Sequence, residues 1–292
     1  SKADELGEDG HVKLAGWRET GALLGVSLAA VAPILLQSAT DNPFALFAVI
    51  FAALCLISAL AMRRQWKPTG LPSQAGFGAF LSDPIARRLL IIALVNAAPV
   101  AASSTLFLFF VERRLEAAGW EGPLLLLFFM AAAASAPVWS RVATIYGAKL
   151  TLISGMILSI LAFGWALFLG PGDALPFAII CIASGAALGA DMTLLPALFA
   201  ERASKVAPEA AEGFGLWSFV SKLSLAFAAV VLLPLLDASG FTAGTEPLSA
   251  TAATALTAMY AGVPCVLKLA AIALLAVTEL DDMHTSAELK EA

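Results

Sequence analysis

The sequence predicts an all-α membrane protein, a bundle of about eight transmembrane helices. Apolar residues make up 60% of the chain and charged residues only 13%, whereas about 25% of the residues in an ordinary soluble domain are charged. The apolar residues are gathered into runs of about 20, the length that a helix needs to cross a bilayer. These runs cover residues 20–38, 44–62, 89–111, 122–141, 150–169, 175–199, 213–236 and 252–277.

A polar segment at residues 63–88 separates the first two predicted helices from the other six. Its prolines and glycines exclude one long straight helix, while Phe77, Phe80 and Leu81 give it a short amphipathic face. The turns TDNPF and GPGDA are short, which predicts antiparallel neighbours. We divide the chain into the end of an N-terminal half (1–62), a central linker (63–88), a six-helix C-terminal half (89–277) and a tail (278–292).

The distribution of lysine and arginine predicts the orientation of the helices. Cytoplasmic loops of membrane proteins carry an excess of these residues. With residues 1–19 in the cytoplasm, the opposite side receives only Arg113 and Arg114, and both termini are cytoplasmic. The cytoplasmic side then holds Lys2, Lys13, Arg18, Arg63, Arg64, Lys67, Arg87, Arg88, Arg141, Lys149, Arg202, Lys205 and Lys290.

Four polar side chains are predicted near mid-membrane depth: Asn96, Asp191, Lys222 and Lys268. Each lies about eight to ten residues from one end of its run, which corresponds to a depth of about 12–15 Å at 1.5 Å per residue. A charge inside an apolar helix costs about 2.5–3.5 kcal/mol on insertion, so it persists mainly where a protein interior or a watery cavity receives it. Secondary transporters hold substrates and ions at this depth. These residues are therefore the candidate substrate or ion site.

Each of the four also has a structural interpretation. Asp191 and Lys222 lie on consecutive predicted helices at equal distance from the joining loop, and we expect them to face each other, as an ion pair or as direct contacts of substrate or ion. Lys268 is expected to extend toward the cytoplasmic interface along its long stem, and it is the next candidate partner for Asp191 if Lys222 does not pair with it. Asn96 shares a helix face with Ser103, although serine in such helices often bonds its own backbone.

Small residues predict where helices approach closely. Gly21 and Gly25 in the first run, and Gly185 and Gly189 in the sixth, have the GxxxG spacing that brings backbones together in membranes. We interpret both pairs as packing positions. The functional alternative is that such flat faces slide past each other during a conformational cycle.

Tryptophan and cysteine are interpreted mainly as structural. Trp139 and Trp217 lie near the ends of their runs, where tryptophan typically anchors the interface. Trp165 lies deeper, where core packing competes with a role as a platform for a sugar ring. The cysteines fit neither a zinc pattern nor a disulfide framework, and each is expected to be buried: Cys55, Cys181 and Cys265.

Several classes of function find no support in the sequence. There is no HExxH, no GxSxG, no P-loop glycine run and no pair of carboxylates inside the runs, so an enzyme is not predicted. No basic block or alternation of aromatic and basic residues indicates nucleic acid. His11 and His284 lie outside the runs, which excludes a histidine proton relay within the membrane.

Three segments resemble a known family. WSRVATIYGAK at 139–149 resembles the loop after the second helix of each half in the major facilitator superfamily. SDPIARRLL at 82–90 is similar to the entry of the seventh helix in the glycoside–pentoside–hexuronide:cation symporters, the melibiose-permease-like family. AEGFGLWSFVSKLSLAFA at 211–228 is similar to that family's signature between the tenth and eleventh helices.

The resemblance implies a twelve-helix transporter of which this chain supplies helices five to twelve. The first four, which carry the family's acidic residues for the coupling cation, would be absent, and the chain opens on Ser1 without a methionine. The first two spans would then be splayed from, or loosely held by, the other six. The resemblance also places Lys222 as the eleventh-helix lysine near the sugar and cation sites, and Asp191 on an acidic tenth helix.

The resulting prediction is cation-coupled symport, with Na⁺ or H⁺, of a sugar or glycoside across the bacterial inner membrane by alternating access. We expect a monomer in the lipid bilayer, with no cofactor beyond the coupling cation and no nucleic-acid partner. Lys222 would stabilise the polar site, Asp191 would be its partner or a ligand, and Asn96 would donate hydrogen bonds to substrate hydroxyls. The alternatives are efflux of a drug-like or amphipathic solute, which expects an aromatic and aliphatic cavity, and a non-transporting membrane scaffold, which expects none.

Overall fold

The computed structural model describes residues 10–36, 40, 42–63, 76–207, 212–241 and 249–279, and within these ranges the chain is helical apart from short connections. The helices are α1 Gly10–Leu36, α2 Pro43–Met62, α3 Gly76–Ser82, α4 Pro84–Phe109, α5 Glu121–Tyr146, α6 Ala148–Ala166, α7 Ala174–Val206, α8 Glu212–Ala238, α9 Ala250–Thr257 and α10 Val263–Ala276. A π-helical turn, Phe110–Arg114, extends α4, and a second one, Ala258–Gly262, joins α9 to α10.

Seven helices in the described ranges are long and apolar enough to cross a membrane. They are α2, α4 with its π-turn, α5, α6, α7, α8, and the continuous helix formed by α9 and α10. Their positions match the last seven predicted runs, and the described part of the first predicted run, residues 20–36, lies within α1. The prediction of an all-α membrane bundle is therefore confirmed.

Local sequence signals set the helix ends. Pro84 occupies the first turn of α4, where its missing N–H leaves no bond unmade. Asp83 caps the same helix, since its carboxylate accepts a hydrogen bond of 2.7 Å from the Ala86 N–H. Gly147 lies between α5 and α6 with φ of 82°, a conformation that glycine adopts without steric cost. Each signal starts or stops a helix two to five residues outside a predicted run.

Contacts at the helix ends show that neighbouring helices are antiparallel. At one end of the bundle the start of α4 meets the end of α7, where the Arg202 Nε donates to Asp83 at 3.0 Å. The start of α6 meets the end of α10 there, since the Lys149 ammonium donates to the Thr278 carbonyl at 2.8 Å. At the other end the Gly172 N–H donates to the Leu115 carbonyl at 2.9 Å. Arg202 and Lys149, which the sequence predicted on the same side of the membrane, thus lie at the same end of the bundle. Which end faces the cytoplasm stays a prediction.

Helix α7 is the centre of the bundle and is buried along most of its length. A Cβ atom added at Gly185 would lie 2.2 Å from the Phe128 carbonyl oxygen of α5, and one at Gly189 would lie 2.7 Å from the Ala132 carbonyl oxygen. Trp139 of α5 donates a hydrogen bond of 2.7 Å to a carbonyl oxygen on α7. The second GxxxG pair therefore packs α7 directly on the backbone of α5, as predicted.

The first two predicted spans behave differently from each other. Helix α1 packs along α5, with Gly16 close to Ser140 and Leu23 in an apolar cluster with Ala132. Helix α2 has no buried residue. The expectation that both spans would be loosely held is wrong for α1, because its small residues at the interface allow close packing; the bare surface of α2 agrees with it.

The first GxxxG pair does not form a packing interface. No heavy atom of the described residues lies within 4 Å of a Cβ added at Gly21 or Gly25. The buried stripe of α1 runs instead through Gly16, Leu23 and Ser27, spaced seven and four residues apart. The GxxxG spacing alone could not indicate which face of the helix would be covered.

The central linker is described only in part, because residues 64–75 lie outside the described ranges. Its end forms α3, where Phe80 is fully buried against Phe199 of α7 at a ring-centroid distance of 6.4 Å. Phe77 and Leu81 are exposed. The predicted amphipathic segment thus docks on the bundle through one residue, and the domain boundaries stay a prediction.

Substitution of Gly185 by alanine tests the contact between α5 and α7. The new Cβ would overlap the Phe128 carbonyl, so we expect a loss of about 1–3 kcal/mol of unfolding free energy, seen as a lower melting temperature in detergent. Gly164→Ala in α6 is the matched control, because a Cβ there meets no described atom within 4 Å. Equal melting temperatures for the two variants would contradict the close approach.

The Asp83–Arg202 ion pair predicts a pH dependence of stability. Hydrogen bonds from Arg202 hold the pKa of the Asp83 carboxyl below its ordinary value of 3.8. The folded state therefore gains stability above that ordinary pKa and loses the gain as the pH falls through the lower folded-state pKa. Asp83→Asn keeps a cap on α4 but loses the charge, so it should unfold about 1 kcal/mol more easily near pH 7.

The difference between wild type and Asp83→Asn should shrink toward zero in acid, followed by melting temperature between about pH 2 and pH 7. Glu201→Gln is the control, since it removes a carboxylate that pairs with the exposed Lys205 within the same helix. A difference that is independent of pH would show that the pair does not contribute through charge.

Candidate functional site

Three of the four predicted site residues meet inside the bundle. The Lys268 ammonium on α10 donates to the Asn96 Oδ1 on α4 at 2.6 Å and also to the Asp191 Oδ2 on α7. The side chains are almost completely buried: Lys268 is 1% exposed, Asn96 4% and Asp191 7%. We call these three residues the polar cluster.

The buried face of α10 brings Lys268 into the interior. Its buried residues are Pro264, Lys268, Ala271 and Leu275, with spacings of four, three and four that keep them on one side of a helix. Lys268 therefore lies on the face of α10 that packs into the core.

The π-turn before α10 sets the rotation of that face. Ala252 and Lys268 are both buried, yet in a regular helix they would lie about 160° apart around the axis, since each residue turns the chain by about 100°. The π-turn at Ala258–Gly262 takes up about one extra residue, which reduces the offset to about 60°. Without it, α9 and Lys268 would not face the same core.

Asn96 and Asp191 are placed by the helices that form the core. In α4 the buried residues Leu89, Ile92, Asn96 and Pro99 follow one another at spacings of three and four, so Asn96 belongs to the packed face. In α7 the residues before and after Asp191 are buried around most of the helix. A charge at mid-depth of α7 thus has only protein to face.

The charges of the polar cluster balance, but its hydrogen bonding is incomplete. One ammonium and one carboxylate cancel in net charge, and two of the three ammonium donors have oxygen partners. The second carboxylate oxygen, Asp191 Oδ1, is buried without a hydrogen-bond partner in the described structure. An unpaired buried acceptor costs about 1–3 kcal/mol, and more when the group is charged, so the hydrogen bonding of this carboxylate is incomplete.

The prediction that Asp191 pairs with Lys222 is wrong. Helix α8 packs on α4, where the Ser224 hydroxyl donates to the Leu94 carbonyl at 2.9 Å, and Ser224 is buried. Lys222 lies two residues before Ser224, which places it about 200° away around the helix axis. Lys222 therefore points away from that interface and is exposed. The prediction assumed that consecutive helices pack against each other at mid-depth.

Helices α7 and α8 do meet near the loop that joins them. Phe199 of α7 contacts Trp217 and Phe214 of α8, with ring-centroid distances of 5.0 and 6.2 Å. Trp217 is therefore held by aromatic packing in addition to its position near a span end. Beyond this contact α8 follows α4, and Lys268 replaces Lys222 as the partner of Asp191.

Comparison with known proteins assigns the chain to a family. A family model described as MFS/sugar transport protein matches residues 5–282 of the 292-residue chain. The chain belongs to this family. It is a multi-pass membrane protein of the major facilitator type, a sugar transporter and not an enzyme. No curated protein matches it significantly.

The expectation that Lys268 of this transporter would extend to the membrane interface is also wrong. That expectation followed from the length of the lysine stem, but a buried carboxylate and an amide oxygen lie within hydrogen-bond reach at mid-depth. A charge-assisted hydrogen bond in the protein interior offsets the loss of water more directly than a stretched stem does. The spacing from Lys268 to Ala271 and Leu275 was the sequence signal that could have shown this.

The remaining polar and aromatic candidates of the transporter have structural contacts. The Ser103 hydroxyl donates to the Pro99 carbonyl of its own helix at 3.0 Å, so the stripe beside Asn96 is satisfied locally. Trp165 is 48% exposed and thus not a core residue. Trp139 donates a hydrogen bond to α7, and its role as an interface anchor stays a prediction.

The cysteines of the transporter follow the prediction only in part. Cys181 is buried, Cys265 is half-buried, and Cys55 is exposed on α2, which has no buried residue. Within the described ranges no group of three or more His, Cys, Asp or Glu side chains is arranged to hold a metal ion.

A double-mutant cycle tests the pairing in the polar cluster. Asp191→Asn alone and Lys268→Met alone each leave a buried charge without its partner, which costs about 3–5 kcal/mol. The double variant removes both charges and should be more stable than either single variant. Melting temperature and yield in detergent measure the coupling.

Lys222→Met combined with Asp191→Asn is the matched cycle. Because Lys222 is exposed, its loss should have a small effect that adds to that of Asp191→Asn without coupling. Strong coupling of Asp191 with Lys222, or none with Lys268, would contradict the arrangement described above.

Proposed function

We propose that this transporter carries a sugar or glycoside by cation-coupled symport, driven by Na⁺ or H⁺. The observation that supports this most directly is the polar cluster of Asn96, Asp191 and Lys268, buried in the middle of helices that cross the membrane. Charges at this depth are costly, and they commonly mark substrate or ion pathways. A sugar transporter needs polar side chains at that depth because its substrate is hydroxyl-rich.

The geometry supports a division of roles among the predicted site residues. The Asp191 Oδ1 atom has no described partner and would accept a substrate hydroxyl once the surrounding helices part. Asn96 carries an amide N–H₂ besides the oxygen bound by Lys268, and it would donate to a second hydroxyl. Lys222 lies on the exposed side of α8, from which its ammonium would reach substrate or ion directly.

Alternating access is the proposed mechanism. In secondary transporters one repeat or bundle rocks against another around a midplane site. The polar cluster joins α4, α7 and α10 at that depth, so it would hold one bundle together during the movement. The basic residues gathered at one bundle end support cytoplasmic termini in a bacterial inner membrane, and we propose a monomer as the working unit.

Uptake by proteoliposomes containing the purified chain tests the function. A Na⁺ gradient or a pH gradient is imposed, and entry of radiolabelled glycosides, pentoses and hexuronates is followed with and without the gradient. We expect gradient-driven accumulation of at least one compound. Asp191→Asn should reduce the initial rate at least about tenfold, because it removes both a charge and an acceptor.

Glu201→Gln serves as the control, since it changes a carboxylate of the same helix outside the polar cluster. Its uptake rate should stay close to that of the wild type. Absence of gradient-driven uptake for every compound would refute symport. A wild-type rate for Asp191→Asn would remove the polar cluster from the mechanism.

A further inference from the structure

The side chains around the Lys268 ammonium are those of a small cation site. Its described partners are a carboxylate oxygen of Asp191 and an amide oxygen of Asn96. Carboxylate and carbonyl oxygens are the ligands that hard metal cations take in proteins. The lysine ammonium is itself a compact point charge, so it stands where a metal cation of charge one would stand between the same oxygens.

We propose that Asn96 and Asp191 form a monovalent-cation site whose permanent occupant is the ammonium of Lys268, which keeps metal cations out of the polar cluster. The occupant belongs to the chain, so the site is filled without any ion from solution. Removal of the lysine side chain would open the site to Na⁺ or Li⁺.

Charge balance explains why the tethered cation excludes a metal ion. The polar cluster is neutral, with one ammonium and one carboxylate in a nearly water-free interior. A metal ion added beside Lys268 would leave one uncompensated positive charge, which is strongly disfavoured at low dielectric constant. Lys222, the other charged residue near this depth in the described helices, is exposed and does not offset the balance.

The opposite argument applies when the lysine side chain is removed. Asp191 then keeps a negative charge without a partner, in a space vacated by a four-carbon stem and an ammonium group. Two side-chain oxygens border that space, Asp191 Oδ2 and Asn96 Oδ1. The same carboxylate offers Asp191 Oδ1, which has no described partner. A Na⁺ or Li⁺ ion, together with water molecules, would restore neutrality, and these oxygens would ligate it.

This inference deepens the proposed function, since it names the ion that occupies the same polar cluster. It implies that any Na⁺ coupling in the wild-type transporter depends on oxygens elsewhere in the molecule. The test below measures cation binding without a sugar or a gradient, so its outcome is independent of whether symport is found.

The experiment compares melting temperatures of the purified chain in detergent with NaCl, LiCl or choline chloride at equal ionic strength. We expect Lys268→Ala to melt at least about 2 °C higher in Na⁺ or Li⁺ than in choline, because a ligand that binds only the folded state stabilises it. Wild type and Lys205→Ala should melt at the same temperature in all three salts. Lys205→Ala is the control for loss of a lysine from a helix that contributes to the polar cluster, since Lys205 pairs with Glu201 and lies outside the cluster.

The double variant Asp191→Asn with Lys268→Ala locates the bound ion. It should lose the response to Na⁺ and Li⁺, because the carboxylate is gone. If Lys268→Ala is recovered in folded form only when Na⁺ or Li⁺ is present, that result also supports the proposal. If the double variant still responds, the ion binds elsewhere and the proposal is overturned.

Three further results would overturn the proposal. One is a folded Lys268→Ala chain with equal melting temperatures in all salts. Another is failure to recover Lys268→Ala in any salt, because a site completed by a cation would be rescued by it. The last is a Na⁺ or Li⁺ response of the wild type that Asp191→Asn removes. Failure of sugar uptake together with the expected cation pattern would refute symport alone.

Discussion

The interior of this transporter depends on one buried ion pair, Asp191 with Lys268. Both charged side chains are almost completely buried, and each would be costly alone in the middle of a membrane. Their helices, α7 and α10, are far apart in sequence, so the pair is also a constraint on how the chain folds. Asn96 extends the constraint to α4, which makes three of the spanning helices share a single polar contact.

The fold was largely predictable from the sequence because membrane insertion imposes strong and simple rules. A helix must satisfy its own backbone hydrogen bonds and present about 20 apolar residues to lipid, and these requirements can be read from composition and length. The close packing at Gly185 and Gly189 was predictable for a similar reason, since small residues allow backbones to approach. The failure at Gly21 and Gly25 shows the limit of such motifs, which do not indicate what covers each face.

The candidate site was predictable in its depth and composition but not in its connections. Asn96, Asp191 and Lys268 were selected because polar side chains at mid-depth are rare and need an interior. Their partners depend on the rotation of each helix and on which helices are neighbours in space. Proximity in sequence favoured Lys222, while the packing of Ser224 on α4 turned Lys222 outward. A shift of one residue turns a side chain by about 100° around the helix axis, and a single sequence carries little information about which face meets which neighbour.

The π-turn at Ala258–Gly262 has a consequence for how the last helix can vary. The depth of a charged residue in a helix depends on how many residues precede it. Its direction depends on the angle through which those residues turn the helix. The irregular turn changes this angle while it leaves the depth nearly the same. A helix of the same composition and length with only regular turns would carry the lysine at nearly the same depth and aim it about 100° away from Asp191. An insertion or deletion of one residue before Lys268 therefore changes the direction of its side chain by about 100° but its depth by only about 1.5 Å.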